Sequence, residues 1–121
     1  MEDPPEMKVE SIFARDAKEK RQFPRFRADM KLEVFRLGAE RAMRGHLDDV
    51  SEGGVGATLI GDLTVGEGLT IEISGSPLLR PVRATATVRN RNAYRYGFQF
   101  MALSREQRTL ITAACLFLAK V

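Results

Sequence analysis

The 121-residue chain contains one cysteine, one histidine, two tyrosines and no tryptophan. A single cysteine closes no internal disulfide, and no Cys/His cluster exists to hold zinc. A Ser-His-Asp triad would have to use His46, and no nucleophile elbow accompanies it. No G-x-x-x-x-G-K-[ST] or G-x-G-x-x-G phosphate loop occurs either. No apolar run approaches the about 20 residues that span a bilayer; the longest, Leu110 to Ala119, is interrupted by Thr112. The opening MEDPPEMKVE is acidic and carries two prolines, unlike a secretory signal or transit peptide. These absences describe a non-enzymatic protein of a reducing cytoplasm with no membrane insertion and no cofactor. Its length suits one domain, and an apolar content of 44% suffices for one core.

Charge is present but unevenly placed. Residues 1–20 carry four basic and six acidic side chains, a balance of −2. Residues 21–50 carry seven and five, giving +2, and residues 51–79 carry none and four, giving −4. Residues 80–108 then carry seven Arg against one Glu, giving +6, and Lys120 completes the net +3. Fourteen of the nineteen basic residues are Arg, whose planar fork suits phosphates and guanine edges.

Residues 1–20 read as a leader outside the core, flexible or partly helical, in which Val9, Ile12 and Phe13 form one short apolar face. KRQFPRFR follows as an Arg-rich extended arm, because Pro24 biases Phe23 away from helix. The period then becomes two. Met30, Leu32 and Val34 alternate with polar neighbours, as do Met43, Gly45 and Leu47, then Val55, Ala57 and Leu59. Leu69, Ile71 and Ile73 continue the pattern, followed by Val82, Ala84, Ala86 and Val88, and finally by Tyr96, Phe98 and Phe100. Turn signals separate these runs, including one from Asn90 to Arg95. Six short strands without intervening helices predict an all-β antiparallel sandwich or barrel, and the barrel is favoured because closure removes exposed edges. At Ser104 the period changes to helical, with Gln107 three residues on to complete a capping box. A C-terminal α-helix over about 104–119 is predicted to lay Leu110, Ile111, Ala114, Phe117, Leu118 and Val121 on the barrel. His46 reads as a solvated surface residue and Cys115 as a buried, inert thiol.

Two motifs carry chemistry. Arg21 and Arg25 form an R-x-x-x-R on the arm, and Asp49-Val50-Ser51-Glu52-Gly53-Gly54 forms a D-x-S-x-x-G at the end of the second strand. One strand, a turn and a return strand separate them, which brings the second motif back beside the arm. Guanine fits this set. Arg pairs with its O6 and N7 acceptors, and an ionised Asp49 accepts from N1 and N2. Ser51, two residues from Asp49, is expected on the same side of the strand, to bond a base amine or phosphate; the alternative is that Asp49 and Ser51 cap the turn with their side chains. Gly54 is expected to adopt a positive φ or to let the backbone approach a ring closely.

At these residues, and at the phrases Gly66-Glu67-Gly68-Leu69-Thr70-Ile71 and Tyr96-Gly97-Phe98-Gln99-Phe100, the chain resembles the PilZ domain family. The likeness covers about residues 21–121. It implies a six-stranded barrel with a C-terminal helix that binds cyclic di-GMP. By that resemblance Arg21 and Arg25 clasp guanine edges and phosphates, Asp49 and Ser51 hold a base, and Gly54 keeps the turn open. Lys20 and Arg89 are candidates for added contacts. The implied function is that of a receptor that changes conformation on binding and signals to a partner protein in motility, biofilm or exopolysaccharide control. Two other readings stand beside it. One is a barrel that binds single-stranded nucleic acid through residues 80–108, disfavoured because most aromatics there alternate toward the core. The other is an interaction module that binds no nucleotide.

Overall fold

The computed structural model describes residues 23–121; the leader, Lys20 and Arg21 lie outside the described residues. Six strands follow in chain order: β1 (Phe26–Phe35), β2 (Met43–Val50), β3 (Gly54–Leu59), β4 (Gly68–Ser74), β5 (Val82–Asn92) and β6 (Arg95–Phe100). Every pairing is antiparallel, and the order β1-β2-β3-β6-β5-β4 closes on itself through β4 and β1. The expected barrel is present, and among the described residues no strand has a free edge.

The alternation predicts which side chains turn inward. Met30, Leu32, Val34, Leu47, Val55, Ala57, Leu59, Leu69, Ile71, Ile73, Val82, Ala84, Ala86, Val88, Tyr96, Phe98 and Phe100 are all buried in one cluster. Each large aliphatic among them contributes about 1.5–3 kcal/mol relative to exposure. The closed ladder leaves them no route to solvent.

Three bulges interrupt the ladder. Extra residues lie in β1 between Arg27 and Met30, in β2 between Leu47 and Asp49, and in β5 between Val88 and Asn90. The β5 bulge changes one expectation. The turn predicted over Asn90 to Arg95 is in fact strand as far as Asn92, which pairs with Arg95. The reversal is confined to Ala93 and Tyr94, with Ala93 in the left-handed region at φ 58°.

The helix is also shorter than expected. α1 runs Arg105–Cys115, not to residue 119. Its N-terminus follows the sequence signal: Ser104 Oγ accepts from the Gln107 N–H at 3.0 Å, and the Ser104 N–H donates to Gln107 Oε1 at 2.9 Å. After Cys115 the hydrogen bonds tighten to i−3 acceptors, from Leu116 to Ala113, Phe117 to Ala114 and Leu118 to Cys115. The chain then leaves the helix to pair with β1. The Arg27 N–H donates to Ala119 at 2.7 Å, and the Val121 N–H donates to Arg25 at 2.9 Å. That pairing turns Phe117 and Val121 outward, so only Ile111, Ala114 and Cys115 of the helical segment are fully buried, with Leu110 and Leu118 packed beside them. Burial pushes the Cys115 thiol up from its ordinary value, which keeps it protonated and unreactive.

Candidate functional site

The β2 bulge explains how two adjacent aspartates reach one face. Leu47 and Val50 both point into the core, so the extra residue leaves Asp48 and Asp49 together on the outer surface. Asp49 stands opposite Arg27 on β1 and Gly56 on β3. A side chain at Gly56 would enter the space this carboxylate occupies: a Cβ there would lie 2.6 Å from Asp49 Oδ2. The carboxylate therefore lies across Gly56 and is 13% exposed.

Arg25 reaches the same place from the arm, with its Nη1 3.8 Å from Asp49 Oδ1. Its position follows from the backbone, because its carbonyl accepts from Val121 at the C-terminus. Phe23, two residues earlier, covers the turn after β2; a Cβ on Gly53 would lie 2.8 Å from its ring. The base of the arm is thus docked on the D-x-S-x-x-G turn.

Ser51 occupies a different position from the one expected. β2 ends at Val50, and Ser51 is only 7% exposed, so it does not continue Asp49's side of a strand. Its Oγ accepts from the N–H groups of Gly53 at 3.1 Å and Gly54 at 3.2 Å. It also lies 3.3 Å from the Gly54 carbonyl, to which the hydroxyl donates. Small polar side chains commonly close turns in this way, because they replace backbone partners that the turn cannot supply. Gly54 departs from expectation as well. Its φ is not positive; it is glycine because a Cβ would collide with the Phe98 carbonyl oxygen across the β3–β6 pair.

Arg25, Asp49, Ser51 and Gly54 therefore converge, whereas Arg21 lies outside the described residues. Arg25, Ser51 and Gly54 border a cleft of about 310 Å³, with Phe23, Arg89, Asn90 and Gln99 on its other sides. A second depression of about 460 Å³, lined by Lys31, Glu33, Arg44 and Ser74, holds no motif residue. The smaller cleft is the one that motif residues border.

A polar network absent from the sequence reading supports Asp49. Arg95 on β6 lies 3.4 Å from Asp48 and 4.0 Å from Asp49. Asp48 also accepts from Thr58 at 2.7 Å and meets His46 Nδ1 at 2.8 Å, while His46 Nε2 meets Asp29 at 2.5 Å. Adjacent acids at a strand end were a visible signal; the bulge that turns both outward was not. His46 lies at the surface, as expected, yet it is held by two carboxylates.

These carboxylates raise the His46 pKa above its ordinary 6.5, Asp29 first and Asp48 second, against a small opposing effect of burial. Lys31 is the opposing residue on β1. Because the folded value is the higher one, the stabilisation is complete below the unfolded value of about 6.5 and fades as pH rises through the folded value. Thermal midpoints followed upward from pH 6 are expected to decline more steeply in the native chain than in His46→Asn. Parallel profiles would show that the triad is energetically idle.

A closed six-stranded antiparallel barrel, with an arginine arm docked on an acidic strand end and a serine-closed turn, defines a recognisable class of module. The family model for the PilZ domain matches residues 19–117, and the chain belongs to that family. Solved structures agree on the fold. The PilZ domain of YcgR from Escherichia coli, solved with c-di-GMP, is 19% identical at a TM-score of 0.68, covering 82% of this chain and 91% of that one. The Bacillus subtilis inhibitor of motility, MotI/DgrA, is 18% identical at a TM-score of 0.67, covering 80% of this chain and 50% of that one. The PilZ domain of CeSA from a cellulose-synthesizing bacterium is 16% identical at 0.60, covering 77% and 95%. No curated protein matches the chain in sequence.

Proposed function

We propose that this chain is a cyclic di-GMP receptor that acts by binding and not by catalysis. The observation that carries this reading is that Arg25 stands beside Asp49 and, with the Ser51–Gly54 turn, borders one cleft. A planar fork and an ionised carboxylate supply the donors and acceptors that guanine and phosphate need. Arg21, four residues before Arg25, is the second phosphate- or base-contacting arginine in this reading. Ser51 acts by holding the turn in shape, and Gly54 by letting β3 and β6 approach. The structure of YcgR solved with c-di-GMP supports the ligand class.

The arm offers a route for a signal. Its base is joined through the Arg25 carbonyl to Val121, so a ligand that draws the arm inward also acts on the C-terminal segment. A downstream protein that senses this region would link the messenger to motility, biofilm or exopolysaccharide control. The proposed location is the cytoplasm; no described helix is long and apolar enough to cross a membrane.

The nucleic-acid reading loses support from the geometry. Tyr96, Phe98 and Phe100 are buried, so they offer no stacking face. Arg80, Arg83, Arg91 and Arg95 are each paired with a carboxylate. Isothermal titration calorimetry of the full chain with cyclic di-GMP decides the matter. Saturable binding that persists at moderate salt is expected. Absence of heat, together with absence of binding in equilibrium dialysis, would show that the motif is vestigial.

A further inference from the structure

The bulge in β5 has the same consequence as the bulge in β2. Val88 points inward, and the extra residue leaves Arg89 and Asn90 side by side on the outer surface. Asn90 then stands in register with Gly97 on β6, Gly97 with Gly56 on β3, and Gly56 with Asp49 on β2. One row across four strands thus reads Asp49, Gly56, Gly97, Asn90. The two middle positions carry no side chain, and both outer side chains lie over them. A Cβ on Gly97 would stand 2.7 Å from both polar atoms of the Asn90 amide, as one on Gly56 would stand 2.6 Å from Asp49 Oδ2. Directly opposed residues on neighbouring strands are about 5 Å apart, so the carboxylate and the amide lie next to each other over a bare floor. Asn90 and Gly97 also border the cleft that Arg25 enters.

This spacing matches one edge of guanine. Its Watson–Crick edge presents the N2 amine, the N1–H and the O6 carbonyl in sequence: two donors followed by an acceptor. An ionised carboxylate accepts from the first two, and the third needs a donor beside it. We infer that Asn90 is a second base-reading residue, donating its side-chain N–H to guanine O6 while Asp49 accepts from N1 and N2 over a floor formed by Gly56 and Gly97. The inference rests on the proposed function above and extends it to how the base is chosen. Adenine places a lone pair at N1 against Asp49, so this pair of residues rejects it.

The test titrates the full chain and its Asn90→Ala, Asn90→Asp and Asp49→Ala variants with cyclic di-GMP and with cyclic di-inosine monophosphate. The inosine ligand keeps O6 and N1–H but lacks the N2 amine. Asn90→Ala is expected to weaken both ligands equally, by about tenfold, the size of one hydrogen bond. Asn90→Asp, isosteric but without a donor, is expected to weaken both further. Asp49→Ala is expected to weaken cyclic di-GMP more than the inosine ligand. Asn90 is exposed, so both Asn90 variants should melt with the native chain, and the isosteric variant gives the answer should the alanine one unfold. Native affinity in both Asn90 variants overturns the inference. A loss confined to cyclic di-GMP assigns Asn90 to the N2 amine and overturns it too. If the native chain binds neither ligand, the receptor reading itself has failed, which is a distinct result.

Discussion

Arg25→Ala is expected to lower affinity for cyclic di-GMP by at least about 100-fold while leaving the barrel folded. Charge-assisted hydrogen bonds contribute about 1.5–3 kcal/mol each, and a guanidinium fork at a guanine edge or phosphate forms two in one plane. The stability cost should be small. Arg25 is 39% exposed and stands 3.8 Å from Asp49, an ion pair without a hydrogen bond. Pairs of that kind contribute about 0–1 kcal/mol. Its structural role belongs to the backbone carbonyl that receives Val121, which alanine retains. Arg25→Lys separates charge from shape, since it keeps the cation and loses the fork; an intermediate loss of about tenfold is expected. Calorimetric titration beside a thermal melt checks both halves of the claim. Unchanged affinity in a folded Arg25→Ala would remove the arm from the binding site.

The fold was legible because a small barrel leaves a plain trace. The strands alternate apart from their bulges, and no helix interrupts the six runs, so periodicity gave an antiparallel β architecture and the cost of exposed edges favoured its closure. The helix start was legible for the same reason, because Ser104 and Gln107 satisfy each other locally. Its end was not. Nothing near Cys115 stops a helix; what stops it is the pairing of Ala119 to Val121 with β1, a contact between residues about ninety positions apart. Bulges were hidden likewise. A bulge shifts register by one residue, and whether Asp48 joins Asp49, or Arg89 joins Asn90, depends on the partner strand. The motif positions were therefore easier to read than their roles. Asp49 lies beside Arg25 and across Gly56, but Ser51 closes a turn and Gly54 yields space to the neighbouring backbone. The glycines at 56 and 97 looked like ordinary strand residues until the register set them opposite each other.

Gly54 is where fold and site are most tightly coupled, and Gly54→Ala is expected to cost about 3 kcal/mol of stability. A Cβ here would strike the Phe98 carbonyl oxygen and lie 3.1 Å from the Phe98 carbonyl carbon and 3.2 Å from the Gln99 Cα. All three are backbone atoms, so no side chain can rotate out of the way. Relief requires β3 and β6 to separate, and these strands belong to a closed ladder in which displacement at one seam disturbs the next. The Gly53 carbonyl accepts from the Phe100 N–H at 2.9 Å, and the Ser51 N–H donates to Gly54 at 2.9 Å, so both bonds are strained by the same movement. Overpacking of this kind typically costs about 1–3 kcal/mol, and a rigid backbone contact belongs at the upper end. For a domain of this size that corresponds to a fall of about 10–20 °C in Tm. Gly68→Ala is the control. A Cβ at Gly68 meets nothing within 4 Å, and its φ is not positive, so its midpoint should shift by about 2 °C or less. Equal midpoints for the two variants would mean that Gly54 is a conformational convenience. A large difference would identify it as the point where the barrel seam and the turn beside Asp49 are held together.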